Sequence, residues 1–186
     1  MRVWEDNDVP YGFLITFRTY GTWLHGDERG SIDRFMNTHD GPRIPPRPFR
    51  ENYNKNLMKQ EPVLLDRPRR VIVAAAIGEV CDHRKWTLHA LNVRTNHAHV
   101  VVATSDRQPE RCTNAFKAYS TRRMRQAGIW TAERSPWSDK ASQRWLWNHD
   151  SLLEACDYVI NRQGHDLDSM ERWQNPPANA GGSPLS

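Results

Sequence analysis

Trp86-Thr87-Leu88-His89-Ala90-Leu91-Asn92-Val93-Arg94-Thr95-Asn96-His97-Ala98-His99-Val100-Val101-Val102-Ala103-Thr104 reads as two strands and a turn. Trp86 to Val93 and His97 to Thr104 are rich in apolar and β-branched side chains. Arg94-Thr95-Asn96 is too short for a crossover, so the two strands form an antiparallel hairpin. Side chains two apart on a strand share a face. His97 and His99 therefore project together, while Ala98, Val100 and Val102 take the other side.

On the N-terminal side of the hairpin, Asp66 and Pro68 open a helix that runs to about Arg84. Its Val73, Ala76, Ile77, Val80 and Cys81 fall on one helical stripe. Before it, Tyr11 to Tyr20 reads as a strand with Phe13, Ile15 and Phe17 on one face. On the C-terminal side, a second helix begins near Pro109 and reaches about Gln126. It carries Cys112, Ala115, Phe116 and Tyr119 as its apolar stripe, with Gly128 as the stop. Arg144 to Asn148 is a fourth strand. Ser151-Leu152-Leu153-Glu154 has the form of a capping box that starts a third helix with Leu152, Ala155, Cys156 and Val159 inward. Gly164 is its expected stop.

The order β-α-β-β-α-β is that of an α+β, ferredoxin-like (split βαβ) antiparallel sheet with helices on one face. Residues 1–173 read as one domain with a long insertion at about 21–65, rich in Gly and Pro, and 174–186 as a disordered tail.

The chain has 186 residues, 38% of them hydrophobic, with a mean hydropathy of -0.82. No apolar run approaches the length of a membrane span, and the first residues lack the apolar core of a signal peptide. Three widely spaced cysteines suit a reducing compartment, so the expected location is cytoplasmic. The net charge is +4, with eight tryptophans. From Arg107 to Arg125 six basic residues face one acidic residue, Glu110. This concentration leans toward a polyanionic partner. No Gly-rich phosphate loop is present.

Two imidazoles on one strand face can hold a divalent metal, or they can be two satisfied histidines at a strand start. Tyr119 lies on a helix with Lys117, Arg122, Arg123 and Arg125 around it. By periodicity it is a core or rim aromatic. With cations and a metal nearby, its phenol could instead attack a phosphodiester.

A His pair on a central strand, followed some twenty residues later by a tyrosine on a basic helix, resembles the single-tyrosine HUH transposases of the insertion-sequence type. The segment Arg144-Trp145-Leu146-Trp147 and the helix after it are similar to the closing segment of the REP-associated tyrosine transposases. The resemblance spans roughly residues 11 to 163. It implies a single-strand DNA nicking and joining enzyme, a metal-dependent tyrosine transposase. His97 and His99 would bind Mg²⁺ or Mn²⁺, and Tyr119 would form a 5′-phosphotyrosine link. Arg18, Lys117, Arg122, Arg123 and Arg125 would contact single-stranded or hairpin DNA, with Trp130, Trp137, Trp145 and Trp147 available to stack on unpaired bases. A homodimer is implied as well, with the tyrosine acting in cis or in trans.

One position departs from the family pattern. Members often carry a polar metal ligand one turn after the tyrosine, and Arg123 stands there in this sequence. Asn114, Gln126, an acidic residue of the insertion, water or the substrate phosphate are the substitutes on offer. The same departure supports the alternative of a catalytically inactive, domesticated module that recognises single-stranded or hairpin DNA. A hydrolase using water at the same metal lacks a nearby carboxylate base.

Overall fold

The structure is a computed structural model that describes residues 9–22, 31–32, 43–44, 58–105, 108–163 and 172–174. Most of the expected insertion, Trp23 to Gly30 of the loop after the first strand, Arg107, Gly164 and the expected tail beyond Gln174 fall outside the described residues, while Gln174 itself ends a strand.

Strand β1 (Gly12–Thr19) is followed by a small ladder of β2 (Ser31–Ile32) and β3 (Arg43–Ile44). Helix α1 (Arg67–Arg84), strands β4 (Thr87–Val93) and β5 (His97–Ala103), helix α2 (Pro109–Gln126), strand β6 (Trp137–Leu146), helix α3 (His149–Asn161) and strand β7 (Arg172–Gln174) complete the order. The main sheet runs β6-β1-β5-β4-β7, antiparallel at every pairing. Leaving β7 aside, this is the expected split βαβ sheet, with the hairpin strand β5 between β1 and β4.

Local chemistry sets the element ends. The Asp66 carboxylate accepts from the Arg69 amide at 3.0 Å and caps α1, which leaves through Lys85 in the left-handed region at φ 59. The Arg94 amide closes the hairpin turn on the His97 carbonyl at 2.7 Å. Helix α3 begins two residues ahead of the expected Ser151. Asn148 and Ser151 form the capping box instead, with the Asn148 side chain accepting from the Ser151 amide. Strand β6 starts seven residues ahead of the expected Arg144, because pairing along β1 recruits the polar stretch from Trp137 onward. It is an edge strand, where polar and charged residues are at home.

Both faces of the sheet are apolar, and that decides where the helices go. Phe13, Ile15, Phe17, Ala98, Val100 and Val102 face α1 and α2 and meet Val73, Ile77, Val80, Cys112 and Phe116. Burying one such large side chain contributes roughly 1.5–3 kcal/mol. On the other face Leu14, Ala90, Val101 and Leu146 need cover too, and Leu152, Ala155 and Val159 of α3 provide it. The expectation of helices on one face thus holds for the two crossover helices, while α3 packs on the opposite face. A register shift between Leu88 and Ala90 places Leu88 in the larger core and turns Ala90 and Asn92 to the α3 side.

Candidate functional site

The hairpin positions both imidazoles on the α3 face, beside Val101 and away from the larger core. The two rings sit edge to face with centroids 4.7 Å apart. Their Nδ1 atoms are both engaged, His97 Nδ1 with Asn96 Oδ1 and His99 Nδ1 with Thr16 Oγ1, each at 2.7 Å. Thr16 stands directly across from His99 on β1, and Arg18 directly across from His97. Outer partners at one ring nitrogen orient an imidazole, the usual arrangement behind a metal-binding histidine. His99 is 6% exposed. Burial, then the neighbouring His97, with smaller contributions from Arg18 and Arg94, pushes its pKa down to about 3, so the ring is neutral near pH 7.

The side chain brought against this pair is Tyr158 of α3. Its ring meets His99 edge to face with centroids 5.5 Å apart, and it is half-buried. Gln163, just past the end of the helix, hydrogen-bonds His99 through its side chain, and its Nε2 donates to the Tyr158 carbonyl at 2.8 Å. Among the described residues no group of three or more His, Cys, Asp or Glu comes together. The protein donors here are therefore two imidazoles and one side-chain amide. That set fits a divalent ion whose remaining positions are filled by water and phosphate oxygens. Its nitrogen donors favour Mn²⁺ over the harder Mg²⁺.

Tyr119 is not brought to the histidines. It lies half-buried against the larger core on α2, across the sheet from them. Within one chain β5 separates the helix of Tyr119 from the imidazoles. Arg123 likewise lies on α2. Asn114 and Gln126, the substitutes suggested for it, also belong to α2.

Of the five cations expected at DNA, only Arg18 shares the face of the histidines. Lys117 Nζ donates to the carbonyls of Ser138 and Asp139, and burial lowers its pKa. Arg123 pairs with Glu79 at 2.9 Å. Arg125 donates to the carbonyls of Ala132 and Glu133. Arg122 is exposed. Lys117, Arg122 and Arg125 line an open groove of about 630 Å³ with Asn114, Thr121 and Glu133, on the α2 side.

The four tryptophans expected at DNA lie on the side of the larger core as well. Trp137 is buried edge-on against Phe17, and its Nε1 donates to Thr121 Oγ1 at 3.1 Å. Trp130 Nε1 donates to the Arg134 carbonyl. Trp145 packs edge-on against Phe13, and Trp147 stacks on it while remaining 54% exposed.

Sequence reasoning missed Tyr158 and Gln163, although the signal was available. Once Ala98, Val100 and Val102 face the crossover helices, the histidines must face whatever covers the other side. The third helix is the remaining element of that size.

Among the described residues no helix is long and apolar enough to cross a membrane. Comparison with curated proteins gives no match. Among solved structures, the REP-associated tyrosine transposase bound to a REP hairpin aligns with a TM-score of 0.47 and 12% identity, over 86% of this chain and 71% of that one. A Deinococcus radiodurans protein described as a transposase aligns with a TM-score of 0.40 and 12% identity, over 87% of this chain and 98% of that one. The family model described as "Transposase IS200 like" matches residues 50–162, more than half of the sequence. The chain belongs to the IS200-like transposase family.

Proposed function

We propose that the protein nicks and rejoins single-stranded DNA through a covalent tyrosine link, with Tyr158 as the nucleophile. The observation that carries this reading is the contact between Tyr158 and His99, flanked by His97 and Gln163, all supplied by one chain. A dimer is not needed to complete such a site.

The Tyr158 hydroxyl oxygen attacks the phosphorus of a phosphodiester. The new bond joins that oxygen to phosphorus, the bond from phosphorus to the 3′-oxygen breaks, and the phenol proton leaves to solvent. The released 3′-oxygen takes a proton and becomes a 3′-hydroxyl, while the 5′-phosphate stays on the tyrosine. Attack by a 3′-hydroxyl reverses the balance and reseals a strand, so the bond energy is conserved and no nucleotide is consumed.

His97, His99 and the Gln163 amide would hold Mn²⁺ or Mg²⁺. Such an ion, when bound, supplies Lewis-acid polarisation of the phosphate and stabilises the leaving oxygen. Thr16 and Asn96 hold the two imidazoles in the orientation this requires. Arg18, beside His97, adds positive charge where the DNA backbone enters.

The test is denaturing electrophoresis of the protein after incubation with Mn²⁺ and a single-stranded DNA pool of random sequence carrying one constant hairpin. A protein–DNA adduct is expected, lost on chelation and lost in His97→Ala and His99→Ala. An adduct that survives both histidine changes would overturn the reading. Metal-independent, salt-sensitive binding without any adduct would favour the inactive DNA-binding module instead.

A further inference from the structure

Across β5 from Thr16, the residue facing His99 is Asn92. The three stand in one row on adjacent strands, Thr16 on β1, His99 on β5 and Asn92 on β4. Asn92 is 4% exposed, a costly place for a side-chain amide unless it is hydrogen-bonded. Its Nδ2 donates at 2.9 Å to the carbonyl of Val159, the residue after Tyr158. That carbonyl lies in the last turn of α3, where the four final carbonyls of a helix lack intrahelical partners.

The row therefore does two separate things around one histidine. Thr16 fixes the ring of His99, and Asn92 ties the helix turn that carries Tyr158 to the strand opposite that ring. The apolar contacts of α3 at Leu152, Ala155 and Val159 seat the helix on the sheet but are non-directional. They tolerate small shifts along the helix axis. A single buried hydrogen bond at the tyrosine's own turn does not. The register shift at Leu88/Ala90 is what turns Asn92 to this face at all.

We infer that Asn92 is a positioning residue, setting the placement of Tyr158 relative to His99 without touching DNA or metal. This rests on Tyr158 being the nucleophile.

The experiment measures the single-turnover rate of adduct formation and the DNA concentration at half-maximal rate, with Mn²⁺ and the hairpin-bearing pool described above. Asn92→Leu keeps the side-chain size and removes the donor. Its maximal rate is expected to fall about 10- to 100-fold, the scale of a displacement near 1 Å. Its half-saturating DNA concentration should stay within about twofold.

Loss of stability alone is separated by adding Gly78→Ala, which raises helix propensity on α1 where a new Cβ meets nothing within 4 Å. A positioning role leaves the double variant slow even when its melting temperature is restored. Recovery of the rate along with the melting temperature overturns the inference, as does an unchanged rate in Asn92→Leu. Should Asn92→Leu not fold, Asn92→Ser is measured in the same way, since its shorter side chain cannot span to the Val159 carbonyl.

Tyr158→Phe is run in parallel. An adduct retained there overturns the tyrosine reading itself. An adduct lost there but formed at the full rate in Asn92→Leu overturns only the role of Asn92.

Discussion

The two faces of the sheet are built from the same strands and do opposite work. Toward α1 and α2 the packing is dry and aromatic: Phe13, Phe17, Phe116 and Trp137 are buried there. Toward α3 the strands carry a short apolar strip and then a polar row, Thr16, His99 and Asn92, with Arg18 and His97 beside it. The basic helix lies on the first face. Its cations are largely spent on Glu79 and on backbone carbonyls of the following loop and strand. Charge concentrated in sequence is thus not charge concentrated at the chemistry.

The sharpest way to break this contrast is to exchange the two tyrosines' fates. Tyr158→Phe is expected to abolish the covalent adduct, while Tyr119→Phe leaves its rate within about twofold. The reverse outcome would return the nucleophile to the α2 face.

Next in size is Thr16→Val, which keeps the shape and removes the hydroxyl behind His99. Loss of such an outer partner typically costs about 10- to 100-fold in metal affinity or activity. Mn²⁺ titration of the variant reads it, and wild-type affinity would show that Thr16 does not orient the ring.

A pH effect follows from the same histidine. His99 has a folded pKa of about 3 against an ordinary value of 6.5, so between these values the unfolded chain binds more protons than the folded one. Stability is therefore expected to fall as pH drops from 6.5 toward 3, with no contribution from this group above 6.5. Urea midpoints across that window test it. A slope unchanged in His99→Gln would assign the loss to other groups.

The smallest expected effect lies on the basic helix. Arg123→Ala removes an exposed ion pair with Glu79 and should cost about 0–1 kcal/mol of stability, leaving adduct formation unchanged. A large fall in adduct yield would mean that the α2 face meets DNA during the reaction.

Much of the fold was legible because short-range signals and long-range packing agree. The hairpin, the α1 stripe ending at Cys81, and the common face of Phe13, Ile15 and Phe17 all follow from periodicity. So does the shared face of His97 and His99. Legibility failed where the answer depended on a partner far along the chain. Tyr119, on a basic helix some twenty residues after the histidines, was attractive by proximity. Tyr158 is nearly sixty residues away and flanked by an inward stripe that marks it only as a neighbour of Val159. The same face assignment that grouped the histidines also puts the helix of Tyr119 on the other face of its own chain, over Ala98, Val100 and Val102. Element ends failed for a different reason. The polar first half of β6 becomes strand only because β1 offers it a partner.

The unequal size of the two cores has a kinetic consequence for solvent access. Among the described residues, seven buried ones hold α3 to its face, whereas nineteen hold α1 and α2 to the other. Opening a helix costs the contacts it alone must give up, so the amides of His149–Asn161 should exchange with deuterium ahead of those in β5. The protection map would then read as a gradient across one sheet thickness, steepest between His99 and the tyrosine it touches.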